Sequence, residues 1–269
     1  MDAARFGPDA ARPLRVRARR LAADTRIEPH RHSWAQVAYS AAGVVRVTAG
    51  LHTYIVPPSR AVWIPPGVEH VVTVVEDAEL RTLYLYLAPG RAGPTPLDAG
   101  SGDQGDAQAW RRCRVLEVSP LLRELVAKLG VVDSVPARER ERCLTGLVHD
   151  ELCHARPLPL GVGLPADKRL RTLCEAVIDD PARHATLQGW STEAGASVRT
   201  VARLFRQELG TTFAEWRQQV LLAKALSMAA RRRPMAHIAS ELGYASASAF
   251  TAMVRRSVGM PPSRFFAAA

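Results

Sequence analysis

The chain has 269 residues, 47% of them hydrophobic, enough for one large domain or two ordinary ones with packed cores. Its longest apolar runs, 71–75 and 83–88, fall far below the ~18 residues of a membrane span, and the Arg-rich start is broken by Asp2, Asp9 and Asp24 with no apolar segment behind it, so a membrane protein, a secretory signal and a transit peptide are excluded and a cytoplasmic protein is expected. The net charge of +10 is uneven: residues 166–269 hold 15 Lys and Arg against 8 Asp and Glu, residues 1–165 hold 21 against 18, and the excess marks the C-terminal part as the place where a polyanion would bind.

From about residue 14 to 87 the chain reads as strands. Short runs at 44–48, 54–56, 61–64, 71–75 and 80–87 are rich in Val, Tyr, Trp and Thr and are separated by Ala49-Gly50, Pro57-Pro58 and Pro65-Pro66-Gly67. Many short strands at such spacing indicate a β-barrel or jelly roll. Within it, Trp34, Tyr39, Trp63 and Tyr84 either belong to the core or line a pocket for a small apolar or aromatic ligand. Residues 89–108, rich in Pro, Gly, Asp and Ser, read as a flexible connector.

Then the period changes. Ser119-Pro120 is a helix start, with Ser as N-cap and Pro in the first turn, and Leu121, Leu122, Leu125, Val126 and Leu129 share one face. A second helix over 137–154 carries Leu144, Leu147, Val148 and Leu152. These two amphipathic helices either pack on the barrel or join two copies of the chain, and a homodimer is the expectation. The four cysteines, Cys113, Cys143, Cys153 and Cys174, have no C-x-x-C pairing and lie in helix-like stretches, which reads as buried reduced thiols. Residues 156–165, with Pro157, Pro159, Gly161, Gly163 and Pro165, hold neither a helix nor a central strand and are read as the linker.

From residue 166 the pattern is helical: 168–179, 187–194 with Gly195 turning the chain, a helix capped by Ser197, a long helix over 213–231, then 235–242 and a helix from Ser246. This region states one unit twice, 49 residues apart. Ser197 aligns with Ser246, Val201 with Phe250, Phe205 with Val254, Arg206 with Arg255, Gly210 with Gly259 and Trp216 with Phe265. A short helix, a turn and a second helix with a polar edge is the helix-turn-helix arrangement, and two copies suit a long regular polyanion, double-stranded DNA. The bland alternative is a helical bundle with a charged face, which leaves the duplication and its spacing without a cause.

Residues 166–266 resemble the DNA-binding domain of the AraC/XylS family of transcription regulators. The resemblance rests on Ser197 to Gly210 with its Arg-Leu-Phe-Arg core, Trp216, Ala225, Ile238-Ala239-Ser240-Glu241-Leu242-Gly243-Tyr244, Phe250, and Gly259-Met260-Pro261-Pro262-Ser263-Arg264-Phe265-Phe266. It implies that two helices enter adjacent major grooves, with Arg199, Ala202 and Arg203 at base-contacting positions in the first unit and Ala247, Ser248 and Ala252 in the second. Thr200, Arg206, Thr251, Arg255 and Arg256 are then backbone contacts. The second set departs from the family's long polar side chains, so the first unit is expected to carry most of the sequence preference. Leu221 stands where an Arg is common.

Residues 20–90 resemble a cupin. His30-x-His32, Gln36 and Gly43, followed by Pro65-x-Gly67-x-x-His70, reproduce its two motifs. The resemblance implies that His30, His32 and His70, with Gln36 as a weak fourth group, form a pocket for a metal (Zn, Ni, Fe or Mn) or another effector; alternation on a strand would let His30 and His32 point the same way. Gln36 stands where such metal sites have a carboxylate, so hydrogen-bonded remnants are the competing reading. A metal-dependent, dioxygenase-like cupin enzyme tethered to DNA is the alternative function. The expected architecture is α+β: a cupin β-barrel (double-stranded β-helix) at 14–90, connector and dimerisation helices at 91–155, a linker at 156–165, and an all-α double helix-turn-helix domain at 166–266. The expected protein is no enzyme and requires no cofactor; it is a DNA-binding regulator controlled by a small molecule or metal, meeting RNA polymerase if it activates, with no membrane partner.

Overall fold

A computed structural model describes residues 7–97, 107–129, 138–158, 160–180, 186–194 and 197–266. Strands β1 (Leu14–Leu21), β2 (Arg26–His30), β3 (Ala35–Ala42), β4 (Val45–Ala49), β5 (His52–Val56), β6 (Arg60–Ile64), β7 (His70–Val74) and β8 (Ala78–Leu85) come first. Helix α1 (Ala107–Trp110), strand β9 (Arg114–Glu117), helices α2 (Pro120–Leu129) and α3 (Arg138–His154) and strands β10 (Pro157–Leu158) and β11 (Gly161–Gly163) follow. Helices α4 (Lys168–Asp179), α5 (Leu187–Ala194), α6 (Val198–Leu209), α7 (Phe213–Ala230), α8 (Met235–Glu241), α9 (Ala247–Val258) and α10 (Pro262–Phe266) complete the chain. Gly195, the expected turn glycine, and residues 98–106 of the expected connector at 89–108 lie outside the described residues. The chain divides into two compact units, Met1–Gly50 with Pro58–Leu158, and Leu51–Pro57 with Pro159–Ala269. No described helix is long and apolar enough to cross a membrane.

In the first unit one antiparallel sheet runs β1-β8-β3-β6-β9-β10. Because side chains alternate, one face collects Leu14, Val16, Val37, Tyr39, Trp63, Leu83, Leu85 and Leu116. Against that face pack Leu122, Leu125 and Val126 of α2 and Val148 and Leu152 of α3, each aliphatic contributing about 1.5–3 kcal/mol on full burial. These side chains of the two amphipathic helices are thus covered within the chain, while Leu121, on the same expected face of α2, is exposed. The opposite face carries the row Arg15, Tyr84, Gln36 and Ile64 across β1, β8, β3 and β6. Strands β4, β7 and β2 pair antiparallel in that order and bring in the second histidine motif.

Sequence reading missed α1 and β9, which are too short to show a period. Their signal is Trp110, whose carbonyl accepts from Trp63 Nε1 at 2.9 Å while the two rings meet edge-on at 5.0 Å. The thiols are also corrected: all four are free, but Cys174 alone is buried and Cys143 is exposed.

In the second unit β5 pairs antiparallel with β11, Thr53 opposite Val162. The stretch 156–165 is thus more structured than a bare linker. Pro157, in β10, stands at the edge of the first unit's sheet, where no ladder N–H is needed on the open side. A Cβ at Gly161 would lie 2.8 Å from the Tyr54 ring, so the close approach needs glycine. The Gly163 carbonyl accepts from Trp216 Nε1 at 2.7 Å, tying the β5–β11 pair to α7. Trp216, Val220, Leu221 and Leu222 are buried, so Leu221 serves the core. Helix α7 opens with a reciprocal capping box between Thr212 and Glu215.

Gly43, between β3 and β4, has φ +72°, and a Cβ there would sit 2.0 Å from the Asp77 carbonyl oxygen. Gly43→Ala should therefore cost about 2 kcal/mol or more, read as a lowered Tm of the first unit's transition; an unchanged Tm would contradict the turn geometry.

Candidate effector site and nucleic-acid interface

The two histidine motifs meet through backbone bonds. His30 ends β2 and is the register partner of His70, which begins β7, and a bulge between Ile27 and His30 re-aims the end of β2. His32 lies beyond the strand, in the turn before β3. Strand alternation is thus not what brings it to His30, as the sequence had suggested. Instead Gly67, at φ +77°, donates its N–H to the His32 carbonyl at 2.8 Å and joins the second motif to the first.

The rings converge. Centroids of His30 and His70 are 4.2 Å apart, His32 and His70 5.3 Å, His30 and His32 6.1 Å. Each Nδ1 faces a backbone carbonyl: His30 that of Glu28 at 2.9 Å, His32 that of Trp34 at 2.7 Å, His70 that of Val68 at 3.0 Å. With Nδ1–H donating in each neutral ring, all three Nε2 atoms keep their lone pairs, the tautomer a metal needs. His70 Nε2 is buried without a hydrogen-bond partner among the described residues. Burial pushes the His70 imidazole down to about 4 and lowers His32 as well, so both are neutral at pH 7.

One ligand atom from each ring lies within 4.8 Å of the others. Around a tetrahedral ion with bonds of about 2.1 Å the nitrogens would be roughly 3.4 Å apart, so the rings need a small inward movement. Gln36 is buried and lies 2.8 Å from His32 Nε2. With Nδ1–H committed to Trp34, that contact is a bond donated by the amide NH2 in its other orientation. Gln36 therefore occupies the lone pair a metal would take. It must swing aside, or turn its oxygen inward as a neutral ligand.

The four aromatic candidates divide. Trp63 and Tyr39 are core. Trp34 stacks on His32 at 5.1 Å with 1° between planes, and Tyr84 stands edge-on to His32 and to Trp34 at 6.2 Å, so these two wall the histidines.

In the second unit the repeat is reproduced atom for atom at its ends. Helices α6 and α9 each have 12 residues; Ser197 and Ser246 cap them by accepting from Thr200 N and Ala249 N, and Gly210 and Gly259 end them at φ +65° and +70°. Val201 and Phe205 bury one side of α6, where Phe205 meets Phe213 at 5.5 Å and Trp216 at 5.7 Å. Phe250, Met253, Val254 and Val258 do so for α9, where Phe250 meets Tyr244 at 5.4 Å. Arg199, Arg203 and Arg206 are left exposed on α6, with Thr200 and Ala202 half-buried; Arg203 bonds Gln207 along the helix at 2.7 Å. On α9 the exposed residues are Ala247, Ser248, Ala249, Arg255 and Arg256, with Thr251 and Ala252 half-buried. At the positions expected to meet bases, α6 presents Arg199, Ala202 and Arg203 and α9 presents Ala247, Ser248 and Ala252.

These features recur in known proteins. Residues 14–152 match the AraC-like ligand binding domain, and residues 190–268 match a helix-turn-helix domain. The chain is 31% identical over 240 residues to the HTH-type transcriptional regulator NimR of Escherichia coli (strain K12), covering 88% of this chain and 81% of that protein. It is 31% identical over 102 residues to the HTH-type transcriptional regulator RipA of Corynebacterium glutamicum, 38% of this chain and 31% of that one. Over 103 residues it is 28% identical to the arabinose operon regulatory protein of Salmonella typhimurium, 38% of this chain and 37% of that one. With a ligand-binding domain across half its length, a helix-turn-helix domain behind it and a regulator alike over four fifths of its own chain, the protein belongs to the AraC family of helix-turn-helix transcription regulators.

Proposed function

We propose that this regulator senses a divalent cation, or a small effector anchored through one, at His30, His32 and His70, and that the occupant changes how its helix-turn-helix units hold operator DNA. The observation that carries the reading is the convergence of three imidazoles tied at Nδ1 to backbone carbonyls, one ligand atom of each within 4.8 Å of the others, with the Nε2 of His70 buried without a partner among the described residues. Neutral imidazoles suit Zn, Ni, Fe or Mn. A bound ion would supply a Lewis-acidic anchor point beside Trp34 and Tyr84, while Gln36 sets its affinity by competing for His32. The effect on transcription follows if the occupant binds two arrangements of the protein unequally. The family pattern adds a homodimer and, at activated promoters, contact with RNA polymerase.

In the DNA complex, Arg199 and Arg203 with Ala202 read bases in the first major groove, and Ala247, Ser248 and Ala252 face the second. Thr200, Arg206, Thr251, Arg255 and Arg256 meet the backbone. Arginine bonds guanine through O6 and N7, whereas alanine reaches only a thymine methyl, so sequence preference concentrates in the first unit.

Elemental analysis of protein purified without chelator should find close to one transition-metal ion per chain in the wild type and a loss of it in His30→Ala/His70→Ala; equal content in both would refute the three-histidine site. Genome-wide mapping of bound DNA should give a bipartite motif, and an absence of enriched sites would remove the operator reading. On a duplex from that motif, Arg199→Ala or Arg203→Ala should lose about 1–3 kcal/mol at one base pair and relax preference there, whereas equal weakening on every sequence would make them backbone contacts.

A further inference from the structure

Beside the reading helix α6 the second unit carries a cavity of about 490 Å³. Ala202 and Arg206, one turn apart on α6, form one wall, Arg217 of α7 another, and Tyr244, in the turn before α9, closes it; Phe213 is apolar floor. No Asp or Glu is among the described residues that line it. The nearest carboxylate along the chain, Glu215, accepts from Thr212 N, Thr212 Oγ1 and Thr211 Oγ1 at the start of α7 and also feels the charge of Arg206. Burial pushes the Tyr244 phenol up, and the charges that act on it are those of Arg217 and of Arg256 on α9. Guanidinium groups from α6 and α7 thus line one concavity with the Tyr244 hydroxyl, on which the charge of Arg256 also acts.

We propose that this cavity seats a backbone phosphate of the duplex, at the stretch between the two major grooves that α6 and α9 occupy, held by Arg206 and Arg217 with the Tyr244 hydroxyl as a further donor. The proposal rests on reading α6 and α9 as groove-binding helices. Ala202, a base-reading position, lies on the cavity wall, so the cavity opens on the side of α6 turned to the groove. Between two neighbouring major grooves a duplex presents its minor groove and the phosphates that flank it. A side chain that reaches such a phosphate fixes the register of both helices and reads no sequence. Arg217 and Tyr244 lie outside the repeated segments that align, which is why the repeat does not reveal them.

The test is fluorescence anisotropy with the full chain on an operator duplex and a scrambled duplex across a series of salt concentrations, for wild type, Arg217→Ala, Arg217→Lys and Tyr244→Phe, each checked for folding by circular dichroism. Arg217→Ala is expected to weaken both duplexes by the same factor, about tenfold at 0.15 M salt, and to lower the slope of log K against log salt by about one. Arg217→Lys should keep the slope, and Tyr244→Phe should weaken both duplexes by a smaller common factor. Wild-type affinity and slope in a folded Arg217→Ala would overturn the proposal, as would a loss confined to the operator. So would benzoate binding to wild type that Arg217→Ala abolishes while DNA affinity stays the same, since the cavity would then belong to a small acid. If Arg217→Ala does not fold, Arg217→Lys and Tyr244→Phe decide: unchanged affinity and slope in both overturns the proposal. Wild type that binds neither duplex would instead refute the groove-binding reading itself.

Discussion

Three carbonyl oxygens, of Glu28, Trp34 and Val68, each take the Nδ1–H of a histidine, and what the first unit can do follows from those bonds. A free imidazole shifts its proton between two nitrogens and rotates; one tied at Nδ1 presents a single lone pair in one direction. The ties are backbone groups, fixed by a bulge in β2, by the turn between β2 and β3 and by the Gly67 turn, so the site is as rigid as those turns. The Nε2 of His70, buried without a partner among the described residues, carries a desolvation cost that a ligand would remove. That cost supports the proposed reading of the cluster as a receptor, and Gln36 on His32 tempers it.

The second unit answers a different constraint. A helix that enters a groove needs firm ends and a buried back, and α6 and α9 have the same serine and glycine caps and analogous aromatic backs. At the aligned positions proposed to read bases they differ, Arg199 and Arg203 on α6 against Ser248 and Ala252 on α9, while both keep an exposed arginine further along, Arg206 and Arg255. The two copies thus share their caps and buried backs and differ at the positions proposed to read bases. The gathering of Arg206, Arg217 and Tyr244 beside α6 extends the same logic, since a phosphate contact fixes position without adding sequence information.

Much of this was legible in the residues. Ser119-Pro120, the Ser197 and Ser246 caps and the 3.6-residue period place the long helices within a residue or two of where they lie, because capping and amphipathicity are local. The histidine trio was legible through motif spacing, though for a partly wrong reason: His32 arrives by a turn and a Gly67 bond, not by alternation on β2. What was not legible depends on contacts distant in sequence. Trp110 gains meaning from Trp63, Gly163 from Trp216, and the apolar faces of α2 and α3 from a sheet assembled out of strands as far back as Leu14. Cys143 reads as buried among apolar neighbours, yet it falls on the exposed side of α3.

The central claim is that occupancy of the histidine cluster and the grip on DNA are one linked equilibrium. Linkage requires that the occupant change the affinity for DNA, typically by a factor of about 5 to 150. The most direct measurement is the Kd of the full chain for one operator duplex, at fixed salt, for protein stripped of metal and for the same protein reloaded with one equivalent of Zn²⁺. The account predicts two Kd values at least about fivefold apart, converging when His30 and His70 are both replaced by alanine. Equal values for the stripped and loaded wild type would contradict it.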